Sequence, residues 1–294
     1  MNRRRSRSRK LLLKTLKRMN NLVTRTLTSV AFVIIMVAGL LFSPYVFGAL
    51  MLVIMTVAMQ EFYTISLGPR FLLQQKLALL ASAAFLTVSI LVKEAGIDQM
   101  WYVVGALFLI AIPVTLVFRG GYSDMDAFAF IPVPVLSIAL PVCMTTMLAY
   151  PGGAFNGWII LSLFIMIWAS DVGAYLIGSL LGQKPDSRKL APAISPKKSW
   201  WGFWGGLVFC VIAAVVLKLC GVLSFPYIHV VVLGLIVGAA GVCGDLYESM
   251  WKRFFSVKDS GKCIPGHGGM YDRFDSSFFA LPAAAIYMIL TSLI

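Results

Sequence analysis

Charge is what this chain has least of. Asp, Glu, Lys and Arg make up 13% of its 294 residues, against 60% hydrophobic, and the mean hydropathy is +0.88. A soluble domain of this length carries about 25% charged residues, so that class is excluded. Acidic residues are scarcer still, 12 against 25 Lys and Arg. The five cysteines, Cys143, Cys210, Cys220, Cys243 and Cys263, show no paired metal spacing. Four lie in apolar runs, where Cys behaves as a small hydrophobe, and none is assigned a function. There is no internal repeat. The two longest polar stretches, Gly182–Trp201 and Glu248–Asp275, are too short to fold with cores of their own, since even domains of about 40 residues usually need help. Chemistry therefore falls to loops braced on membrane helices, which favours a lipid, or something crossing the bilayer, as substrate.

What the chain does have is apolar runs of roughly 18–23 residues, the length that crosses about 30 Å of hydrocarbon. Their lack of apolar–polar alternation excludes a membrane β-barrel. The expected fold is all-α and polytopic, with about nine spans near 22–42, 45–66, 71–92, 101–118, 131–150, 156–180, 202–223, 227–247 and 276–294. The fifth contains Pro132, Pro134 and Pro141, tolerable where neighbours satisfy the freed backbone groups. This divides the chain into a basic arm (1–21), N-terminal helices (22–155) and a C-terminal catalytic half (156–294) with polar loops at 181–201 and 248–275.

Ten Lys and Arg within the first 25 residues keep the N-terminus cytoplasmic. Nine spans then place Arg70, Lys76, Arg119, Lys184–Lys198 and Lys252–Arg273 on the same side, with only Lys93 and Lys218 opposite. In a bacterium that means the inner (cytoplasmic) membrane. The net charge of +13 reads as an arm drawn to anionic headgroups, about 1 kcal/mol per basic residue, rather than as a nucleic-acid surface. No signal-peptide cleavage pattern precedes the first span, so the arm is expected to be retained.

Three acids fall inside apolar spans, where a carboxylate costs roughly 2.5–3.5 kcal/mol at the centre and needs a partner or a task. Glu61 reads as a neutral or paired helix-packing residue, Asp171 as either a site residue or a helix-to-helix hydrogen bond. Asp245 opens Asp-Leu-Tyr-Glu-Ser-Met-Trp-Lys-Arg, where helical spacing sets Asp245, Glu248, Ser249 and Lys252 on one face. Beyond it runs Lys258-Asp-Ser-Gly-Lys-Cys-Ile-Pro-Gly-His-Gly-Gly-Met-Tyr-Asp-Arg-Phe-Asp275. Gly266, Gly268 and Gly269 permit positive φ and close backbone approach. With Lys258, Lys262 and Arg273 nearby, such a loop offers N–H groups and cations to phosphate oxygens. Asp272 and Asp275 add the hard oxygens that Mg²⁺ prefers. These features suggest phosphate chemistry with a metal and do not choose the reaction.

Ser249-Met-Trp-Lys-Arg, Lys258-Asp259, Pro265-Gly-His-Gly-Gly and Asp272-Arg-Phe-Asp275 resemble the signature of the phosphatidate cytidylyltransferases (CDP-diacylglycerol synthases). Asp171-Val-Gly-Ala-Tyr and Ser195-Pro-Lys-Lys-Ser-Trp are similar to further stretches of that family. Trp251 stands where the signature usually has an aliphatic residue, and Trp201 where Glu or Gln usually precedes Gly202. The resemblance implies transfer of CMP from CTP to phosphatidate, giving CDP-diacylglycerol and pyrophosphate, with Mg²⁺ in a two-metal site. It also implies a homodimer and gives no role to nucleic acid. It makes Asp245 and Asp272 metal ligands; Asp275 is added on spacing. Lys197, Lys198, Lys252, Arg253, Lys258, Lys262 and Arg273 are candidates for gripping phosphates, and Asp259 joins the catalytic set from the signature. Ser195, Ser199 and Ser249 either bond phosphate or water near the metal, or, for the first two, cap helices. His267 is either a general acid or phosphate contact, or a loop-shaping hydrogen-bonder; His229 reads as structural. Competing readings are another nucleotide-dependent lipid phosphotransferase and an ion or solute transporter, whose acids would sit near the midplane on broken helices.

Overall fold

A computed structural model describes residues 26–118, 125–184, 186–264 and 268–294. The basic arm, Arg119, Gly266 and His267 lie outside the described residues. Among those described are nine long helices: α1 (Thr26–Leu41), α2 (Pro44–Ser66), α3 (Leu72–Glu94), α4 (Tyr102–Val117), α5 (Pro132–Ala149), α6 (Gly157–Leu180), α7 (Trp200–Leu219), α8 (Tyr227–Phe254) and α9 (Ser277–Leu290). Eight helical segments are long and apolar enough to cross a membrane; the described part of α1 is shorter. The protein is a polytopic, all-α membrane protein.

Local sequence sets the helix starts. Ser43 accepts from Val46 N–H at 3.2 Å with Pro44 at the first helical position, so α2 begins there. Ser199 accepts from Gly202 N–H at 3.2 Å and starts α7. In α5 the segment Val135–Ala139 is wound as π-helix, between Pro134 and Pro141. Prolines that withhold N–H groups explain a loosened hydrogen-bond ladder here.

Two expectations need correction. The polar stretch expected as a loop over 181–201 contains an antiparallel hairpin, β1 (Lys189–Ala191) with β2 (Ser195–Ser199). Its turn has Pro192 after Ala191 and closes by Ile194 N–H to Ala191 C=O at 3.2 Å, the position where proline's fixed φ favours a turn. The other polar stretch does not begin as a loop either. Helix α8 runs on to Phe254, because Glu248–Phe254 contains neither Gly nor Pro and pairs Glu248 with Lys252 one turn apart.

Helix α2 forms the middle of the core, burying Phe47, Met51, Met55, Ala58, Met59 and Phe62. One hydrophobic cluster extends from Met36 to Met288, so both halves of the chain share it. Helices α6 and α7 approach most closely: a Cβ on Gly205 would stand 2.5 Å from Ile177 Cβ and 2.9 Å from Gly173 C=O. Small residues at such crossings let membrane helices pack backbone to backbone. His229 is not alone at its end of α8; its Nδ1 lies 2.8 Å from Tyr287 Oη and ties α8 to α9. Gly205→Val should therefore destabilise the protein by about 1–3 kcal/mol, read as a lower Tm in detergent. Val208→Leu, on the exposed face of α7, should leave Tm unchanged.

Candidate active site

The polar residues converge where the C-terminal halves of α2, α6 and α8 meet the hairpin, the start of α7 and the helical turn Tyr271–Phe274 that leads into α9. The hairpin is held by Lys189 Nζ donating to Gly182 C=O at 2.7 Å and by Arg188 over the Trp200 ring at 5.9 Å. Gln183 Nε2 donates to Lys197 C=O at 3.0 Å. This fixes Lys197 and Lys198 over a cleft of ≈ 650 Å³ whose lining includes Asp171, Gln183, Ser199, Asp245, Asp272 and Asp275. That volume is in the range of ligand pockets.

Gly244 brings α8 against the α9 turn, since a Cβ there would meet the Asp275 carbonyl oxygen. Asp245 and Asp275 thereby come together with Glu248, ligand oxygens of all three lying within 4.8 Å of one another. Lys198 pairs with Asp245, and Ser249 Oγ donates to Asp245 Oδ1 at 3.4 Å. Lys252 sits between Glu248 Oε2 (2.5 Å) and Asp272 Oδ1 (2.9 Å). Glu248 is only 1% exposed, and its Oε1 has no hydrogen-bond partner among the described residues. Three carboxylates this close repel one another and call for a cation among them. Hard oxygens in such a group suit Mg²⁺.

Asp272 is held differently. Its carboxylate accepts from Lys252, from Ser260 N–H (3.1 and 3.0 Å to its two oxygens) and from Gly269 N–H at 2.8 Å. Its oxygens are therefore occupied by donors from the chain, and it is not among the three carboxylates that group around the candidate metal position. Gly268 has φ +86° and its position is crowded by Asp272 Oδ2 at 2.7 Å. Gly269 does not have positive φ; the need there is close approach.

A second cleft of ≈ 300 Å³ opens beside α1, lined by Thr28, Ser29, Phe32, Val33 and Trp168 together with Asp171, Asp272, Arg273 and Asp275. Asp171, Asp272 and Asp275 line both clefts. Among the other expected residues, Ser199 serves as the α7 cap as well as lining the first cleft. Ser195, Arg253, Lys258, Asp259 and Lys262 line neither cleft; Arg253 instead bonds Val257 C=O at 3.3 Å. Trp251 is buried inside the helix bundle. It is 6% exposed and stacks on Phe62 with ring centroids 4.5 Å apart, since α8 crosses α2 there. Trp201 is exposed.

Sequence reasoning missed three participants. Glu248 was on the right helical face, a signal available from its spacing to Asp245. Glu61 and Ser260 were left out, and long-range contacts such as their hydrogen bond across 199 residues reveal them.

The sequence model of the Cytidylyltransferase family matches residues 23–291. The chain belongs to that family. This family member is 34% identical over 217 residues to a phosphatidate cytidylyltransferase of Staphylococcus epidermidis, covering 72% of this chain and 79% of that protein. It is 38% identical over 184 residues to one of Staphylococcus saprophyticus, 63% and 67% of the two chains. With a Bacillus subtilis phosphatidate cytidylyltransferase the identity is 46% over 118 residues, 40% of this chain and 42% of that protein.

Cys263, in the loop after α8, is a thiol poorly suited to attack. Partial burial, then the neighbouring Glu61 carboxylate, push it up to about 11. Cys263 should therefore alkylate slowly at pH 7. Its rate should still rise nearly tenfold per pH unit between pH 8 and 10, where an ordinary thiol levels off. Site-resolved mass spectrometry after iodoacetamide pulses checks this.

Proposed function

We propose that the protein is a phosphatidate cytidylyltransferase. The carrying observation is that two clefts, one lined by Lys197 and Lys198 and one by Arg273 beside Phe32, Val33 and Trp168, share Asp171, Asp272 and Asp275. An enzyme joining a water-soluble nucleotide to a lipid phosphate needs such a meeting point. Lys197 and Lys198 at the first cleft suit the triphosphate of CTP. Arg273 at the second suits the phosphate of phosphatidate, with Phe32, Val33 and Trp168 toward its glycerol and acyl chains.

In the reaction a phosphatidate phosphate oxygen attacks the α-phosphorus of CTP. A P–O bond forms there, the bond to the β-phosphate oxygen breaks, and pyrophosphate leaves. No protein nucleophile is needed; the chain's contribution is orientation and charge neutralisation. Asp245, Glu248 and Asp275 would hold Mg²⁺, which when bound neutralises phosphate charge. The carboxylate of Asp272, fixed by Lys252 and the loop N–H groups, orients Lys252 and the loop rather than moving a proton. The clefts open to the cytoplasm under the orientation that the basic residues favour, which is where CTP is, and a homodimer is part of the same reading. A transporter reading is disfavoured because these acids lie toward one end of the helices and beside a hairpin, rather than at broken helices near the middle.

Purified protein should release pyrophosphate from CTP only with phosphatidate and Mg²⁺ together. Release that ignores the lipid would overturn the reading. Asp245→Asn and Asp275→Asn should each lower turnover on the order of 10²-fold or more at normal membrane levels of protein.

A further inference from the structure

Glu61 belongs to α2, far in sequence from every other residue of the site, yet its carboxylate is the acceptor around which the loop after α8 is arranged. Ser260 Oγ donates to its Oε2 at 2.8 Å, Met270 N–H to Oε1 at 3.0 Å and Tyr271 N–H to Oε2 at 2.9 Å. Met270 and Tyr271 stand at the start of the helical turn leading into α9, where N–H groups lack intrahelical acceptors. Glu61 thus caps that turn from another helix, with its negative charge at the favourable end.

The same loop atoms reach Asp272. Ser260 N–H and Gly269 N–H donate to the Asp272 carboxylate, and Asp272 N–H donates to Ser260 Oγ at 3.3 Å. Three consecutive amides, Gly269, Met270 and Tyr271, are therefore shared out between the two carboxylates, and Ser260 bridges them. Glycine is required where the carboxylate passes: a Cβ on Gly269 would collide with Ser260 Oγ and Glu61 Oε2, and one on Gly261 with Glu61 Oε1. Beneath this polar layer lies an aromatic one. Phe62 stacks on Trp251, and Tyr271 meets both edge-on at 6.3 and 5.4 Å. Each ring is the chain neighbour of a polar site residue: Phe62 of Glu61, Trp251 of Lys252, Tyr271 of Asp272.

The geometry points to Glu61 as a positioning residue for the transfer reaction, holding Asp272, and through it Lys252, at the junction of the two clefts. It touches neither cleft's lining itself and acts through Ser260 and the amides of Met270 and Tyr271. The effect on turnover rests on the proposed reaction; the effect on the loop does not.

The test uses the full-length protein in nanodiscs, comparing wild type with Glu61→Gln, which keeps the shape but presents an amide NH₂ to N–H donors. Hydrogen–deuterium exchange resolved to single amides should speed up about tenfold or more at Gly269, Met270 and Tyr271 and stay unchanged in α7. Turnover should fall about tenfold or more, as a displacement near 1 Å can cause, with KM for CTP within about threefold of wild type because Lys197 and Lys198 are untouched. Ser260→Ala removes the bridge while keeping the charge. It should give the same pattern at smaller amplitude, and it replaces Glu61→Gln if that variant does not insert. Unchanged exchange at these amides overturns the clamp whatever happens to turnover. Faster exchange with wild-type turnover overturns the positioning role. Should wild type make no CDP-lipid at all, the proposed reaction fails, and the exchange data alone still decide whether Glu61 holds the loop.

Discussion

A carboxylate carried on a membrane helix must be answered by the protein itself, because hydrocarbon offers it nothing and an isolated charge there costs roughly 2.5–3.5 kcal/mol or more. At its polar end this chain gathers Glu61, Asp171, Asp245, Glu248, Asp272 and Asp275. The structure around them is largely a set of answers. Lys198 comes down from the hairpin to Asp245, and Lys252 reaches up α8 to both Glu248 and Asp272. Where no cation arrives, backbone N–H groups serve, as at Glu61. The segment after α8 has no core of its own. Its path is dictated by where two carboxylates need donors, and Gly261, Gly268 and Gly269 stand where a side chain would displace those oxygens.

Donors of this kind hold geometry only if the helices that carry them cannot slide. The aromatic layer of Phe62, Trp251 and Tyr271 supplies that restraint, since stacked and edge-on rings add about 0.5–1.5 kcal/mol per pair beyond their buried area. Because each ring adjoins a polar site residue in the chain, a backbone shift at any one ring would carry its polar neighbour with it. Trp251, a departure from the usual aliphatic residue, fits this layer: the larger ring fills the space between α2 and α8 and closes the stack on Phe62. Packing and site geometry are therefore one problem here, solved at three adjacent pairs of residues.

This explains what could be read from the sequence. The spans were legible because hydropathy and helix length are local, and the observed ends of α2, α5 and α6 fall within a residue or so of expectation. The face carrying Asp245, Glu248, Ser249 and Lys252 was legible because helical period is local too; Ser249 bonds Asp245 and Lys252 pairs with Glu248 as that spacing requires. The hairpin was hidden by its shortness and by two prolines. Glu61 was hidden by distance along the chain: no other charged residue stands near it in its helix, and its partners lie about 200 residues away. Asp272 could be placed in the site by its motif but not given its partners, since those depend on how the loop folds back.

The distribution of charge also bears on how such a site would discriminate. Lys197 and Lys198 line one cleft and Arg273 the other, whereas Asp171, Asp272 and Asp275 belong to both. A phosphate could be drawn to either cleft yet be repelled from the middle, because Asp171, Asp272 and Asp275 face it from both sides. Two phosphate-bearing ligands would then meet only with additional positive charge between them. Under the proposed function that charge is the divalent cation, so its requirement follows from where the acids are and not only from the needs of phosphoryl chemistry.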